Sequence, residues 1–242
     1  MLISKKINYK IYRFFWKTVD FIYPPVCAGC GAPGSIWCKD CQEKVHEIGD
    51  KICPICGILE KSGNLCPECQ SSSPPYSALR SWAIFEGPLR TALLSLKYKS
   101  DLGLGNIFSI PLINLIQSNH WNFDCIIPMP ISKAHKKTRG YNQSSLIARP
   151  IALALNKPLL QESVIRIKET KSQVNLSRSE RFKNLQSAFL GNPAKLLSKK
   201  VLLVDDITTT GATMISCAQA LKDAGCDQVF CLTVARTPKH YQ

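Results

Sequence analysis

Eight cysteines between positions 27 and 69 stand as four Cys-x-x-Cys pairs: Cys27/Cys30, Cys38/Cys41, Cys53/Cys56 and Cys66/Cys69. A Cys-x-x-Cys turn aims two thiolates at one point, and two such turns complete a tetrahedron of sulfur around Zn²⁺ at about 2.3 Å. A single pair would serve a redox dithiol equally well, but four in so short a stretch point to metal, and in a chain expected to sit in a reducing compartment they argue for metal rather than disulfides. Zinc is expected, two ions in all, with iron–sulfur ligation as the competing chemistry. Sequential sites (27, 30, 38, 41 and then 53, 56, 66, 69) are favoured, and an interleaved cross-brace stays open. Gly31 and Gly57 each follow the second cysteine of a pair, where a knuckle that bends back uses a positive φ. The other four cysteines, Cys125, Cys217, Cys226 and Cys231, stand singly among apolar residues and read as small buried hydrophobes.

A second constellation runs Val201-Leu202-Leu203-Val204-Asp205-Asp206-Ile207-Thr208-Thr209-Thr210-Gly211-Ala212-Thr213. The apolar run reads as a buried parallel strand. It ends in two carboxylates, followed by a hydroxyl-rich loop around one glycine and a helix that begins near Ala212. Taken singly, the acids are a solvated turn and the threonines are helix caps. Taken together they suit a ligand that carries a phosphate beside vicinal hydroxyls. Amides and threonine hydroxyls at a helix N-terminus wrap the phosphate, Gly211 permits close approach, and Asp205 and Asp206 accept hydrogen bonds from two ribose hydroxyls.

The chain has 242 residues, with 45% hydrophobic and 20% charged, which excludes wholesale disorder and collagen-like repetition. The net charge is +14 and it is localised: between 133 and 200 there are fifteen Lys/Arg against three Asp/Glu, twelve of the fourteen net charges. Two tetrathiolate zinc ions lower the total by four and leave it strongly basic. So dense an excess of one sign attracts polyanions such as nucleic acid, phosphorylated small molecules or an anionic membrane. Aromatic residues interleave with it at Tyr141 beside Arg139 and at Phe182 beside Arg181. Core or rim packing is the favoured reading of these rings, and base stacking is the alternative.

The elements that must position these residues follow from periodicity. Residues 1–23 form a basic amphipathic helix, with Ile7, Ile11, Phe14, Phe15, Val19 and Ile22 on one face. Docking of that face onto the rest of the protein is favoured over peripheral contact with a membrane. Its lysines interrupt any signal-peptide core, and no run of 18 apolar residues exists, so a cytoplasmic chain is expected. Residues 24–70 are the cysteine-rich module, 71–75 a Ser/Pro linker, and 76–242 the main domain. Strands are expected at 81–85, 125–129, 164–167, 201–204 and 229–234, with helices at 89–96, 105–117, 144–155, 179–185 and 212–224. Such alternation predicts an α/β fold, a mostly parallel sheet flanked by helices, with ligands beyond the carboxyl ends of its strands.

The 201–213 segment resembles the phosphoribosyl-pyrophosphate motif of type I phosphoribosyltransferases. Pro24-Pro25 ahead of the cysteine knuckles, Glu86-Gly87-Pro88-Leu89-Arg90, Leu96-Lys97-Tyr98-Lys99, Pro128-Met129-Pro130, Arg139-Gly140-Tyr141-Asn142-Gln143, Gln173, Leu176-Ser177-Arg178, Arg181 and Asn184 stand in the order seen in the ComF family. The resemblance covers nearly the whole chain from about residue 21. It implies a double zinc ribbon ahead of a phosphoribosyltransferase fold, and a role in natural transformation at the cytoplasmic face of the membrane. Incoming single-stranded DNA, and a competence helicase, are the partners it implies. It makes Asp205 and Asp206 the ribose ligands, Thr208, Thr209, Thr210, Gly211, Ala212 and Thr213 the 5-phosphate loop, and Lys97 and Tyr98 part of the pyrophosphate loop. Mg²⁺ is implied as the companion of phosphoribosyl pyrophosphate.

Lys97, Asp205 and Asp206 are thereby the candidate catalytic residues. One departure bears on mechanism: where purine-salvage members carry a carboxylate, this chain has Thr209, which is no general base at neutral pH. Two functions are therefore weighed. The first is DNA handling, with Lys133, Lys136, Lys137, Arg139, Tyr141, Arg178 and Arg181 as the nucleic-acid contacts. The second is phosphoribosyl transfer to a base, an amine or another small nucleophile. A scaffold with a vestigial pocket is the third and weakest reading.

Overall fold

The computed structural model describes residues 25–98, 103–167 and 188–238. The amphipathic segment expected at 1–23, the helix expected at 179–185, and Arg178 and Arg181 lie outside the described residues.

The cysteine-rich module contributes two short helices, α1 (Lys39–Glu43) and α2 (Pro67–Ser71). The main domain follows as β1 (Ala78–Ile84), α3 (Gly87–Tyr98), α4 (Leu104–Ser118), β2 (Cys125–Pro128), α5 (Lys133–Arg139) and α6 (Gln143–Ala154). Its second half holds β3 (Val164–Arg166), β4 (Phe189–Gly191), α7 (Pro193–Leu196), β5 (Lys200–Thr208), α8 (Ala212–Asp223) and β6 (Gln228–Arg236).

Four strands form one sheet in the order β1-β6-β5-β2, and every pair is parallel. Residues alternate between its two faces. Leu202, Val204, Leu232 and Val234 pack on one side with Leu93, Leu96, Phe108, Ile147 and Ile151 of α3, α4 and α6. Val201, Leu203, Val229 and Cys231 pack on the other with Met214, Cys217 and Leu221 of α8. Helices on both faces bury the central strands, which is why 201–204 is apolar without a break. Cys125, Cys217, Cys226 and Cys231 are all buried in this second layer, as expected of small hydrophobes.

Two features differ from the expected pattern. β5 runs on through both acids to Thr208, because β6 continues to pair with it as far as Thr208 opposite Arg236. β3 is not a member of the main sheet but pairs antiparallel with β4, Ile165 opposite Leu190.

The cysteine-rich module is fastened to the edge of the sheet. The Ile84 amide donates to the His46 carbonyl at 2.9 Å, Ile48 to Trp82 at 2.8 Å and Leu79 to Ile55 at 2.7 Å. The stretch between the two cysteine groups thus covers β1, whose backbone would otherwise be a raw edge. Gly57 comes so close that a Cβ there would lie 2.3 Å from the Leu79 carbonyl oxygen. Trp37 of the first knuckle meets Phe108 edge-on, with ring centroids 5.8 Å apart. No helix among the described residues is long and apolar enough to cross a membrane.

Candidate functional site

The cysteine groups assemble sequentially. Cys27, Cys30, Cys38 and Cys41 form one cluster and Cys53, Cys56, Cys66 and Cys69 the other, with the sulfurs of each within 4.8 Å of one another. Cys27 and Cys41 sulfurs are 3.6 Å apart, Cys30 and Cys38 3.7 Å, and Cys56 and Cys66 3.6 Å. Those separations are far too long for disulfides. They match the edge of a sulfur tetrahedron, about 3.8 Å when each Zn–S bond is about 2.3 Å. Burial acts against ionisation of Cys27 and Cys53. Backbone N–H groups overcome it, from Cys38, Cys30 and Gly29 at the first and from Cys66, Cys56 and Ile55 at the second. The net result pulls Cys27 down to about 6 and Cys53 to about 7. Burial and then the neighbouring cysteines push Cys56 up to about 11, and Cys41 and Cys69 well above the ordinary thiol range. Each cluster thus forms one thiolate readily, and the others need the metal's charge. The two four-cysteine groups fit two zinc ions.

The second assembly lies at the carboxyl end of β5. Asp205 and Asp206 are both buried, 8% and 3% exposed. Asp205 Oδ1 accepts from the Ser144 hydroxyl at 2.7 Å and from the Asp206 amide at 2.9 Å. Asp206 Oδ2 lies 2.8 Å from Lys97 Nζ. Burial, and next the neighbouring Asp206 charge, push the Asp205 carboxyl up to about 7, against the pull of Ser144, Lys97 and the Asp206 amide.

Beyond the acids the strand gives way to the hydroxyl loop. Thr208 is the last residue of β5, and its buried hydroxyl has no hydrogen-bond partner among the described residues. Gly211 is the N-cap of α8 at φ +80°, a left-handed conformation that glycine adopts without strain. Having no side chain, it leaves the helix's first turn uncapped except for a 3.4 Å hydrogen bond from the Ala212 amide to Thr210 Oγ1. Thr213 follows in that first turn. Thr209, Thr210 and Gly211 also line a cavity of about 830 Å³ that reaches Arg236 and the second cysteine group.

Lys97 and Tyr98 close α3. What holds that end in place was not legible beforehand: the Tyr141 hydroxyl donates to the Leu96 carbonyl at 2.6 Å. Its neighbour Asn142 donates to the Met129 carbonyl at 2.9 Å and caps α6 by accepting from the Ser144 amide at 3.0 Å. Arg139 Nη1 reaches Gln143 Oε1 at 3.2 Å. Residues 139–144 therefore form a hub that fastens the Lys97 segment, the end of β2 and Asp205 together. Ser144 and Asn142 were absent from the expected site. Their signal was the Asn-x-Ser start of a helix, which reads as an ordinary cap.

The expected nucleic-acid residues fall on α5 and its exit. Lys133, Lys136, Lys137 and Arg139 belong to α5, where Lys136 and Lys137 are exposed, and the partly buried Tyr141 follows. Tyr141 is thus committed to a main-chain tie through its hydroxyl, while its ring faces a groove shared with Lys136.

Comparison with known proteins bears on both parts of the chain. The double zinc ribbon domain family matches residues 18–70, and the phosphoribosyl transferase domain family matches 142–242. The chain is 30% identical over 222 residues to the DNA utilization protein YhgH of Escherichia coli (strain K12), covering 86% of this chain and 96% of that one. It is 26% identical over 207 residues to competence protein F of Haemophilus influenzae, covering 82% and 90% of the two chains. With competence protein ComFC of Bacillus subtilis (strain 168) the identity is 26% over 198 residues, 78% of each chain. With a double zinc ribbon fastened to a parallel-sheet phosphoribosyltransferase fold, and relatives of this kind along most of its length, the chain belongs to the ComF family.

Proposed function

We propose that this chain handles single-stranded DNA in natural transformation. In this reading it holds a ribose 5-phosphate ligand between Lys97, the Asp205/Asp206 pair and the 208–213 loop. The ligand is phosphoribosyl pyrophosphate or a sugar–phosphate of the strand itself. Relatives named competence proteins and a DNA utilization protein support the biological setting. The observation that supports the site is the meeting of Lys97, at the end of α3, with Asp206, near the carboxyl end of β5, at 2.8 Å.

The chemistry follows from the residues. The loop's amides and threonine hydroxyls suit a dianionic phosphate. The buried, partnerless Thr208 hydroxyl and the side-chain-free Gly211 fit a ligand that approaches the backbone closely. Asp205 and Asp206 accept from ribose hydroxyls, and Lys97 turns from Asp206 to the diphosphate. Mg²⁺ bound with the diphosphate would neutralise part of its charge beside Lys97. Basic α5 meets the strand's phosphates.

The test is binding of labelled single-stranded DNA across a salt series, with and without phosphoribosyl pyrophosphate and Mg²⁺. Affinity is expected to fall steeply with salt as counterions are released. Competition by the small ligand means a shared site, and additivity means two. Absence of binding at low salt removes the DNA reading.

A second reading is phosphoribosyl transfer to a base, an amine or another small nucleophile. In that reading Lys97 stands against the leaving pyrophosphate, and Thr209 supplies no general base, so transfer relies on positioning and charge stabilisation. Pyrophosphate release that depends on an acceptor, and is abolished by Asp205→Ala with Asp206→Ala, supports it. Silence across a broad acceptor panel removes it.

A further inference from the structure

A groove of about 1060 Å³ runs between α6, the loop after β2 and the β3 strand. Its lining includes Lys136, Arg149 and Arg166, three cations against one acid, Glu162. Its apolar lining is exposed to a degree that is unusual for such residues: Ile165 and Ile167 are each 50% exposed and Leu153 76%. Single exposed apolar residues need no explanation, but three gathered at one concavity do. Ile165 and Ile167 are two apart on an extended strand and so share a face. Arg149 and Leu153 are four apart on α6 and so are neighbours on its surface. On the α6 wall a cation and an apolar side chain thus stand side by side, while on the β3 wall the two isoleucines face one way and Arg166 the other, over the Phe189 ring.

We infer that this groove carries a segment of single-stranded nucleic acid, with Arg149 and Lys136 on its phosphates and Ile165, Ile167 and Leu153 against its bases. The inference rests on the DNA reading above and gives that strand a path. Charge complementarity favours a polyanion. Cationic and apolar side chains gathered in one concavity favour a polyanion that also presents flat apolar groups, as a nucleotide does. Tyr141 and Asn142 line the same groove while tying Leu96 and Met129. The strand's path therefore adjoins the sugar–phosphate cradle, and α5 extends the basic rim.

The experiment measures binding of a fluorescent oligothymidylate over a salt series to the zinc-loaded full-length chain. The variants are Lys136→Ala/Arg149→Ala and Ile165→Ser/Ile167→Ser. The cationic pair is expected to lower affinity about tenfold and to make the slope of log affinity against log salt shallower by about 1.4, near 0.7 for each lost single-strand phosphate contact. The isoleucine pair is expected to lower affinity while leaving the slope unchanged. A polyglutamate of matched charge is expected to bind at least about tenfold more weakly than the oligonucleotide, since it supplies no bases. Hydrogen exchange on the wild-type chain serves if a variant misfolds: the oligonucleotide should slow exchange at residues 164–167. Wild type that does not bind at low salt defeats the underlying DNA reading. Wild type that binds while both variants match it, or with 164–167 unprotected, or with polyglutamate bound equally well, overturns the groove alone.

Discussion

Lys97 Nζ lies 2.8 Å from Asp206 Oδ2, and the pair closes the carboxyl end of the central strand. Asp206 is 4% exposed at its side chain and Lys97 21%, so the ion pair is largely withdrawn from water. Coulomb attraction is strong there, but each partner has lost hydration, and what matters is that neither charge be left alone. Lys97→Met is therefore expected to destabilise the ligand-free protein by about 2–4 kcal/mol, and adding Asp206→Asn to recover most of it. Denaturant melts of the two single variants and the double variant check this. Additive losses would show that the two side chains do not depend on each other.

The hub at 139–144 makes a separate prediction about ligand affinity. Ser144→Ala removes a buried donor from Asp205, and Tyr141→Phe removes the tie to the Leu96 carbonyl. Each is expected to weaken phosphoribosyl pyrophosphate binding about five- to tenfold, the worth of one hydrogen bond to a charged or buried group. Ser144→Thr should restore part of it. Isothermal titration with Mg²⁺ present checks the series, and unchanged affinity in Ser144→Ala would remove Ser144 from the positioning of Asp205.

Asp205 gives a pH dependence whose sign is fixed. Burial first and the Asp206 charge second raise its carboxyl to about 7, above the unfolded value of about 3.9. Between those values the folded chain binds a proton that the unfolded chain has released. Its contribution to stability is thus fully present below about 4 and is lost as pH climbs through about 7. Asp205→Asn is expected to flatten the Tm profile from pH 4 to 7 and to stabilise the fold at pH 8 by on the order of 2–4 kcal/mol, while weakening ribose binding. Thermal melts at pH 5, 6, 7 and 8 decide it.

The second knuckle's approach to β1 is testable at Gly57. Its φ is +66°, and an added Cβ would meet the Leu79 carbonyl oxygen at 2.3 Å. Gly63, at φ +70°, has nothing within 4 Å. Gly63→Ala should cost the left-handed backbone penalty alone, about 1–2 kcal/mol. Gly57→Ala should cost more and lower Tm by at least about 4–8 °C. Equal losses would mean that the close contact relaxes without consequence.

Metal content follows from the sequential clusters. The purified chain is expected to hold two zinc ions, with Cys27→Ser and Cys53→Ser each losing one, as a colorimetric chelator assay would read. A single replacement that empties both clusters would point instead to shared ligands.

The metal knuckles and the 201–213 motif were legible because both are short patterns in which neighbours in sequence act together. Relationships between distant segments were not. Nothing local marks Ser144 as the partner of Asp205, or Tyr141 as the anchor of Leu96. Helix α5 escaped the periodicity reading because Lys133-Ala134-His135-Lys136-Lys137-Thr138-Arg139 has no apolar stripe. Its caps alone announced it: Ser132 accepts from the His135 amide at 3.2 Å, and Gly140 ends it at φ +77°. The antiparallel pairing of β3 with β4 was hidden for another reason, since three-residue strands are too short to show a period.

The cover that residues 46–55 place over β1 joins two processes usually treated apart. That stretch runs from beyond the first cysteine group into the second, so sealing of the sheet edge is expected to follow the ordering of both clusters. A chain made under zinc starvation would then complete its helices and inner strands yet leave one flank of the sheet unsealed, free to zip onto a sibling chain.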